Sequence, residues 1–155
     1  MIVCMFENGK KAFLRHAVVD VLVVKGDKIL LVKRAPPLLN AGKYGVVGGY
    51  VEKDETLIAA ATREVMEETG YKIKINFLLR IKDNPNRPKE DKQNIAFVFV
   101  ATAGKKIQEG DNESTENKWF DFDNLPKPKD FAFDHYEDIK LYLKYKKSPF
   151  PVPKI

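Results

Sequence analysis

The stretch Gly49-Tyr50-Val51-Glu52-Lys53-Asp54-Glu55-Thr56-Leu57-Ile58-Ala59-Ala60-Ala61-Thr62-Arg63-Glu64-Val65-Met66-Glu67-Glu68-Thr69-Gly70-Tyr71 decides how this chain is read. Residues 56–69 contain no Gly or Pro, and Leu57, Ala61 and Val65 recur every four residues, so the spacing predicts an amphipathic helix with Gly70 as its left-handed cap. Glu64, Glu67 and Glu68 stand at i, i+3 and i+4, side by side on one face and opposite the apolar stripe. Like charges repel at that spacing. A divalent cation among them reverses the balance, and oxygen ligands without His or Cys select Mg²⁺ or Mn²⁺ over zinc. The alternative is a solvated acidic face on which Arg63 pairs with Glu67. Local spacing leaves both open.

Outward from the helix, residues 17–25 and 28–33 are rich in Val, Ile and Leu and flank Gly26-Asp27, the pattern of a β-hairpin. Residues 34–49 bring two prolines and four glycines, a loop whose backbone can approach a ligand closely. After the helix, 71–75 and 76–82 read as strands, 83–93 as a charged loop and 94–102 as a strand with alternating aromatics. Residues 103–118 are polar and acidic. Trp119-Phe120 starts a short strand, Asp134 is placed to N-cap a final helix through about Lys146, and residues 148–155 form an extended, proline-rich tail. The fold class expected is α/β in the α+β sense, one domain over 1–155 with a mixed β-sheet sandwiched between helices.

Composition excludes several classes. The 155 residues suffice for one sizeable core, and 44% hydrophobic against 32% charged content is far from that of a disordered chain. The longest apolar run, 17–24, is broken by Asp20 and falls short of the roughly 20 residues a membrane span needs. Residues 1–15 lack the basic-then-apolar order of a secretory signal, so a cytoplasmic location is expected. One cysteine, Cys4, and two histidines, His16 and His135, provide neither an internal disulfide nor a Cys/His zinc site. A formal charge of +5 favours an anionic partner only in general terms.

Gly49, Glu55, Arg63, Glu64, Glu67, Glu68 and Gly70, with apolar Val65 and Tyr71, read G-x5-E-x7-R-E-U-x-E-E-x-G-U, where U is bulky and apolar. This resembles the signature of the Nudix hydrolases at every position. At roughly 6% usage per residue type, the seven identities coincide by chance about once in several hundred million starting points. Residues 44–52 are similar to the family's W-x-L-P-G-G-x-x-E loop, with Tyr44 for Trp and Val47 for Pro. Trp119-Phe120, Leu125-Pro126, residues 131–135 and residues 83–88 are similar to the ADP-ribose pyrophosphatase branch.

The resemblance implies a Nudix fold and a metal-dependent pyrophosphohydrolase that cleaves a nucleoside diphosphate linked to another group. It implies Glu64, Glu67 and Glu68 as ligands of Mg²⁺ or Mn²⁺, Glu55 as a helper of that cluster, and Arg63 as the residue orienting the carboxylates. Gly48 and Gly49 would let backbone pass close to metals and phosphates. In the family the general base is commonly a glutamate of this helix or of a later loop, so the resemblance implies Glu113 and Glu116 as candidates for the base or a further ligand. Lys33 and Arg34, at a strand end, and Arg87, in the long loop, are candidate phosphate contacts. Tyr44, Tyr50, Phe97 and Phe99 are candidate stacking partners for a base.

The substrate expected is ADP-ribose, cleaved to AMP and ribose 5-phosphate. A mutator-type nucleoside triphosphate pyrophosphohydrolase is the runner-up, and a nucleotide sensor without catalysis is the reading from another class. The partner expected is a small nucleotide, with no stable nucleic acid and no membrane; a homodimer is left open.

Overall fold

The computed structural model describes residues 2–87 and 92–155. In chain order the elements are β1 (Ile2–Met5), β2 (Lys11–Leu14), β3 (Ala17–Lys25), β4 (Lys28–Arg34), β5 (Tyr44–Gly45), β6 (Val47–Tyr50), α1 (Leu57–Thr69), β7 (Tyr71–Lys82), β8 (Ile95–Lys106), β9 (Ser114–Asp121) and α2 (His135–Lys147). Strands β1 and β2 pair with each other. The main sheet runs β5-β4-β3-β8-β7, with β6 added to β3 and β9 to β4. It is mixed: β3 and β8 are parallel, whereas β7–β8, β3–β6 and β4–β9 are antiparallel.

Alternation along the apolar strands explains the two cores. Val19, Val21 and Val23 of β3, with Leu30 and Val32 of β4, pack against Ala60, Ala61 and Val65 of α1. Leu22 and Val24, with Ile29 and Leu31, face the other way and meet Ile139 and Tyr142 of α2. The sheet is thus covered on both faces, as expected. Asp20 shares the parity of Leu22 and Val24, which carries this acid toward α2. No helix among the described residues is long and apolar enough to cross a membrane.

The helix α1 follows its sequence signals closely. Thr56 Oγ1 accepts a hydrogen bond from Ala59 N at 3.2 Å, and Gly70 caps the far end at φ 73°. Elsewhere the expectations need correction. The β3–β4 hairpin holds only at its tip, with Val24 opposite Ile29 and Lys25 opposite Lys28, because further along β6 takes over the pairing of β3 and β5 that of β4. The two strands expected over 71–82 are one, β7, whose register shifts absorb the irregularity. Strand β8 continues to Lys106 and β9 begins at Ser114, so the polar composition of 103–118 misled: among the described residues β8 beyond Thr102 pairs only with β7, and β9 only with β4, and such one-sided positions tolerate charged residues. The hairpin β1–β2 had no sequence expectation. Of the charged loop at 83–93, residues 88–91, including Pro88, lie outside the described residues.

Candidate active site

A cavity of about 480 Å³ opens between the loop before α1, the exposed face of α1 and the start of α2; Gly48, Gly49, Arg63, Glu64, Glu67, Arg34, Arg87, Asp111 and Glu113 line it. Its acidic wall is built on α1. Arg63 lies at the centre, with Nη2 donating to Glu55 Oε1 at 2.8 Å and to the Tyr50 carbonyl at 3.0 Å, and Nε to Glu55 Oε2 at 3.2 Å. Its Nη1 donates to both Glu64 Oε1 at 2.9 Å and Glu67 Oε2 at 3.0 Å. One guanidinium therefore orients three carboxylates, and Glu55 also accepts from Glu52 N at 2.7 Å. These bonds hold Glu55 below the usual carboxylate range and Arg63 above its own.

Glu68 behaves differently. It is buried, and Oε1 accepts from Gly48 N at 3.0 Å, tying the helix to the glycine loop. Burial pushes its carboxyl up to about 8, with the charges of Glu64, Asp111 and Glu113 adding to the rise. Burial raises Glu64 as well. A Cβ on Gly49 would lie 2.3 Å from Glu64 Oε1, so only glycine lets the loop pass this close to the acid.

The later loop is pinned onto the C-terminal end of α1. Asp111 N donates to the Glu67 carbonyl at 2.8 Å, Asn117 Nδ2 to the Glu68 carbonyl at 2.7 Å, and Glu113 N to Asp111 Oδ1 at 2.9 Å. A Cβ on Gly110 would stand 1.9 Å from the Glu68 carbonyl oxygen. This close approach is what brings Asp111 and Glu113 to the wall formed by Glu64 and Glu67.

The acids outnumber the cations here. Arg63 pairs with Glu55, Glu64 and Glu67, and Glu68, Asp111 and Glu113 add three more acids close by. Among the described residues no three acidic or imidazole groups already enclose a common cation position; Arg63 Nη1 sits between Glu64 and Glu67 instead. The donor set is carboxylate oxygen throughout, and the excess charge with a carboxyl raised to about 8 is what a hard divalent cation would relieve. The residues fit such an ion.

The other expected residues separate by strand parity and packing. Arg34 lines the cavity, its guanidinium carbon 5.3 Å from the Phe133 ring centroid and Nε donating to the Leu39 carbonyl at 2.8 Å. Lys33 is its neighbour on β4 and turns to the opposite side, over the Tyr44 ring at 5.7 Å, so it is corrected from phosphate contact to surface packing. Glu116 is likewise outside the cavity lining, accepting from Tyr44 OH at 3.1 Å, whereas Glu113 lines it. Tyr50 lines the cavity; Phe99 is core, Phe97 packs against the core, and Tyr44 meets the Phe120 ring edge-on.

Asp134 was expected to cap α2, yet its side chain makes no capping bond. It receives Arg87 Nη2 at 2.7 Å, Arg87 Nε at 3.2 Å and Lys82 Nζ at 3.0 Å. Lys82 also meets Asp138 Oδ2 at 2.6 Å and Asp20 Oδ2 at 3.1 Å. His135 Nδ1 accepts from Val46 N at 3.2 Å, between β5 and β6. Sequence reasoning missed Asp20, Lys82, Asp111 and this use of Asp134. The available signal was Asp20, a lone acid inside an otherwise apolar strand.

Comparison with known proteins shows the family. The NUDIX domain model matches residues 14–142. An ADP-ribose pyrophosphatase of Methanocaldococcus jannaschii is 38% identical over 138 residues, covering 88% of this chain and 78% of that protein. An NAD-capped RNA hydrolase, NudC, of Pseudomonas syringae is 32% identical over 106 residues, 68% of this chain but only 36% of that protein. Among solved structures, a NUDIX hydrolase from Nitrosomonas europaea superposes with TM-score 0.79 at 23% identity, covering 99% of this chain and 93% of that one. At that identity it speaks for the fold. An oxygen-only acidic helix held by one arginine, within a domain match that spans most of the sequence, is the arrangement by which the chain belongs to the Nudix hydrolases, enzymes acting on phosphoric anhydrides.

Proposed function

We propose that this Nudix pyrophosphohydrolase cleaves ADP-ribose to AMP and ribose 5-phosphate, using Mg²⁺ or Mn²⁺. The observation that carries the substrate is the 38% identity, over 88% of the chain, to a protein named as an ADP-ribose pyrophosphatase. The cavity supports it physically: it has an acidic wall on α1 and, in the same space, Arg34 and Arg87 for the anionic remainder of the substrate.

Glu64, Glu67 and Glu68 would hold the cation, with Glu55 kept in place by Arg63. Once bound, the ion would neutralise the diphosphate and lower the barrier to attack by water. Arg63 maintains the orientation of Glu64 and Glu67 through Nη1. Glu113, on the loop pinned to α1, takes the proton from the attacking water; a P–O bond of the anhydride breaks as the water oxygen bonds to phosphorus, and the leaving phosphate keeps the electron pair. Gly48 and Gly49 allow the phosphate chain to lie close to the backbone. Arg34 and Arg87 contact the substrate away from the acids.

The test is a hydrolysis screen with Mg²⁺ or Mn²⁺ over ADP-ribose, NADH, diadenosine polyphosphates and normal and oxidised nucleoside triphosphates. The expected kcat/KM for ADP-ribose exceeds that for dGTP or 8-oxo-dGTP by at least about tenfold, roughly 1.4 kcal/mol of discrimination. Release of pyrophosphate from a triphosphate, in preference, would overturn the assignment in favour of the mutator-type reading.

A further inference from the structure

Arg87 reaches the cavity from the segment after β7, where an arginine would ordinarily extend into solvent, yet its side chain is only 6% exposed. Asp134 accounts for that. Its two oxygens receive Nε and Nη2 as a planar fork, the geometry that fixes a guanidinium most firmly, and leave Nη1 as a donor for an incoming group. Lys82, itself buried, braces the same carboxylate from behind at 3.0 Å and is in turn held by Asp20 and Asp138. Asp134 occupies the N-cap position of α2 without capping it. A capping bond ordinarily stabilises a helix, so here that carboxylate is diverted from the helix to the arginine.

Resting on the reading of the cavity as a diphosphate site, we infer that Asp134 is a positioning residue for substrate binding: it locks Arg87 as a fixed receiver of the substrate's anionic diphosphate. A flexible arginine would have to be ordered by each substrate, at a cost in side-chain entropy. The Asp134 fork removes that ordering from the binding step. Uniform loss of binding appears in KM, not in kcat.

The experiment compares Asp134→Asn, Arg87→Gln, Arg87→Lys and the Asp134→Asn/Arg87→Gln double variant with wild type, measuring kcat, KM and Tm. Asp134→Asn and Arg87→Gln are each expected to raise KM about tenfold while kcat changes less than threefold. The double variant should be no worse than Arg87→Gln alone, since Asp134 acts through Arg87. Arg87→Lys keeps the charge without the fork and should lie between. A fall in Tm with KM unchanged, or additive KM effects in the double variant, would show a structural staple and overturn the proposal. If Asp134→Asn does not fold, Arg87→Lys and Arg87→Gln carry the test by the same KM criterion. Calorimetric titration of ADP-ribose in EDTA gives the binding loss independently of turnover. Were wild type to prefer a nucleoside triphosphate, the substrate assignment would fail while the same variants, measured on that triphosphate, still decided the role of Asp134.

Discussion

Two clusters of acids and cations line this cavity, and they are built on opposite charge balances. On and beside α1, Arg63 binds three carboxylates, Glu55, Glu64 and Glu67, while Asp111 and Glu113 add further acid to the same cavity. At the start of α2, Lys82 and Arg87 face Asp20, Asp134 and Asp138, and nearly all of it is buried. Arg80 adds a contact to Asp138 at 3.4 Å. In the second cluster every charge has its partner, and Asp134 is held well below the usual carboxylate range: burial opposes this, but Arg87 and Lys82 more than offset it. In the first, burial and crowding raise Glu68 and Glu64 instead. An excess of acid invites a cation from outside; a balanced cluster holds side chains in place.

The sharpest way to break this contrast is to unbalance the buried cluster. Lys82→Met removes the cation shared by Asp20, Asp134 and Asp138, leaving Arg87 at Asp134 and Arg80 at Asp138, and loss of one partner from a buried ionic cluster typically costs about 3–5 kcal/mol. Urea denaturation should show a loss of that order, partly recovered in Lys82→Met/Asp138→Asn. A Lys82→Met protein within about 1 kcal/mol of wild type would mean that the cluster is not a structural brace.

The same neutralisation on α1 should act on turnover and spare the fold. Glu67→Gln is expected to lower kcat by on the order of 10²-fold, with Tm little changed, because its side chain is half exposed and packs against little. Glu113→Gln should lower kcat with KM preserved, whereas Glu116→Gln should leave turnover near wild type. Full activity of Glu67→Gln at saturating substrate, over a range of metal concentrations, would remove the cation from the argument. Equal losses at Glu113 and Glu116 would show that Tyr44 does not hold Glu116 away from the reaction.

The smallest effect is the pH dependence of stability, which comes from two groups with opposite shifts inside the buried cluster. Burial pulls His135 from 6.5 down to about 4, against the opposing pull of Asp20. The unfolded chain therefore takes up a proton that the native state refuses, and this contribution, present above pH 6.5, is lost as the pH falls toward 4. Asp138 has the opposite sign. Burial pushes it from 3.8 up to about 6 despite Lys82, so the native state binds the proton better, and its contribution, present below pH 3.8, is lost as the pH rises toward 6. The two slopes oppose one another. Asp138→Asn should steepen the loss of stability between pH 6.5 and 4, and His135→Gln should make stability rise over the pH 6 to 4 window. Denaturation midpoints at several pH values read both; identical profiles for wild type and the two variants would contradict the opposing slopes.

How much could be read before folding follows from how local each feature is. Thr56, the 57-61-65 stripe and Gly70 specify α1 within one stretch of chain, because capping and 3.6-residue periodicity act between near neighbours. The spacing from Gly49 to Gly70 also places the acids and Arg63 together, since a helix repeats predictably over two turns. The extents of β7, β8 and β9 were not legible, because strand partners lie far apart in sequence and edge positions accept polar residues. Lys33 and Arg34 looked equivalent until β4 assigned them opposite faces.

By itself, then, the sequence determined the acidic helix α1, the oxygen-only character of its acids and the family to which the chain belongs, all carried by residues within 22 positions of one another. Only the tertiary structure decided that Glu113 rather than Glu116 reaches the cavity, that Asp20 belongs to the charge cluster and that Asp134 holds Arg87 instead of capping α2. Those choices join residues 47 to 118 positions apart, such as Arg87 with Asp134 and Asp20 with Asp138. Their partners are brought together by sheet order and by which face of a strand each side chain takes, and neither is encoded in local spacing.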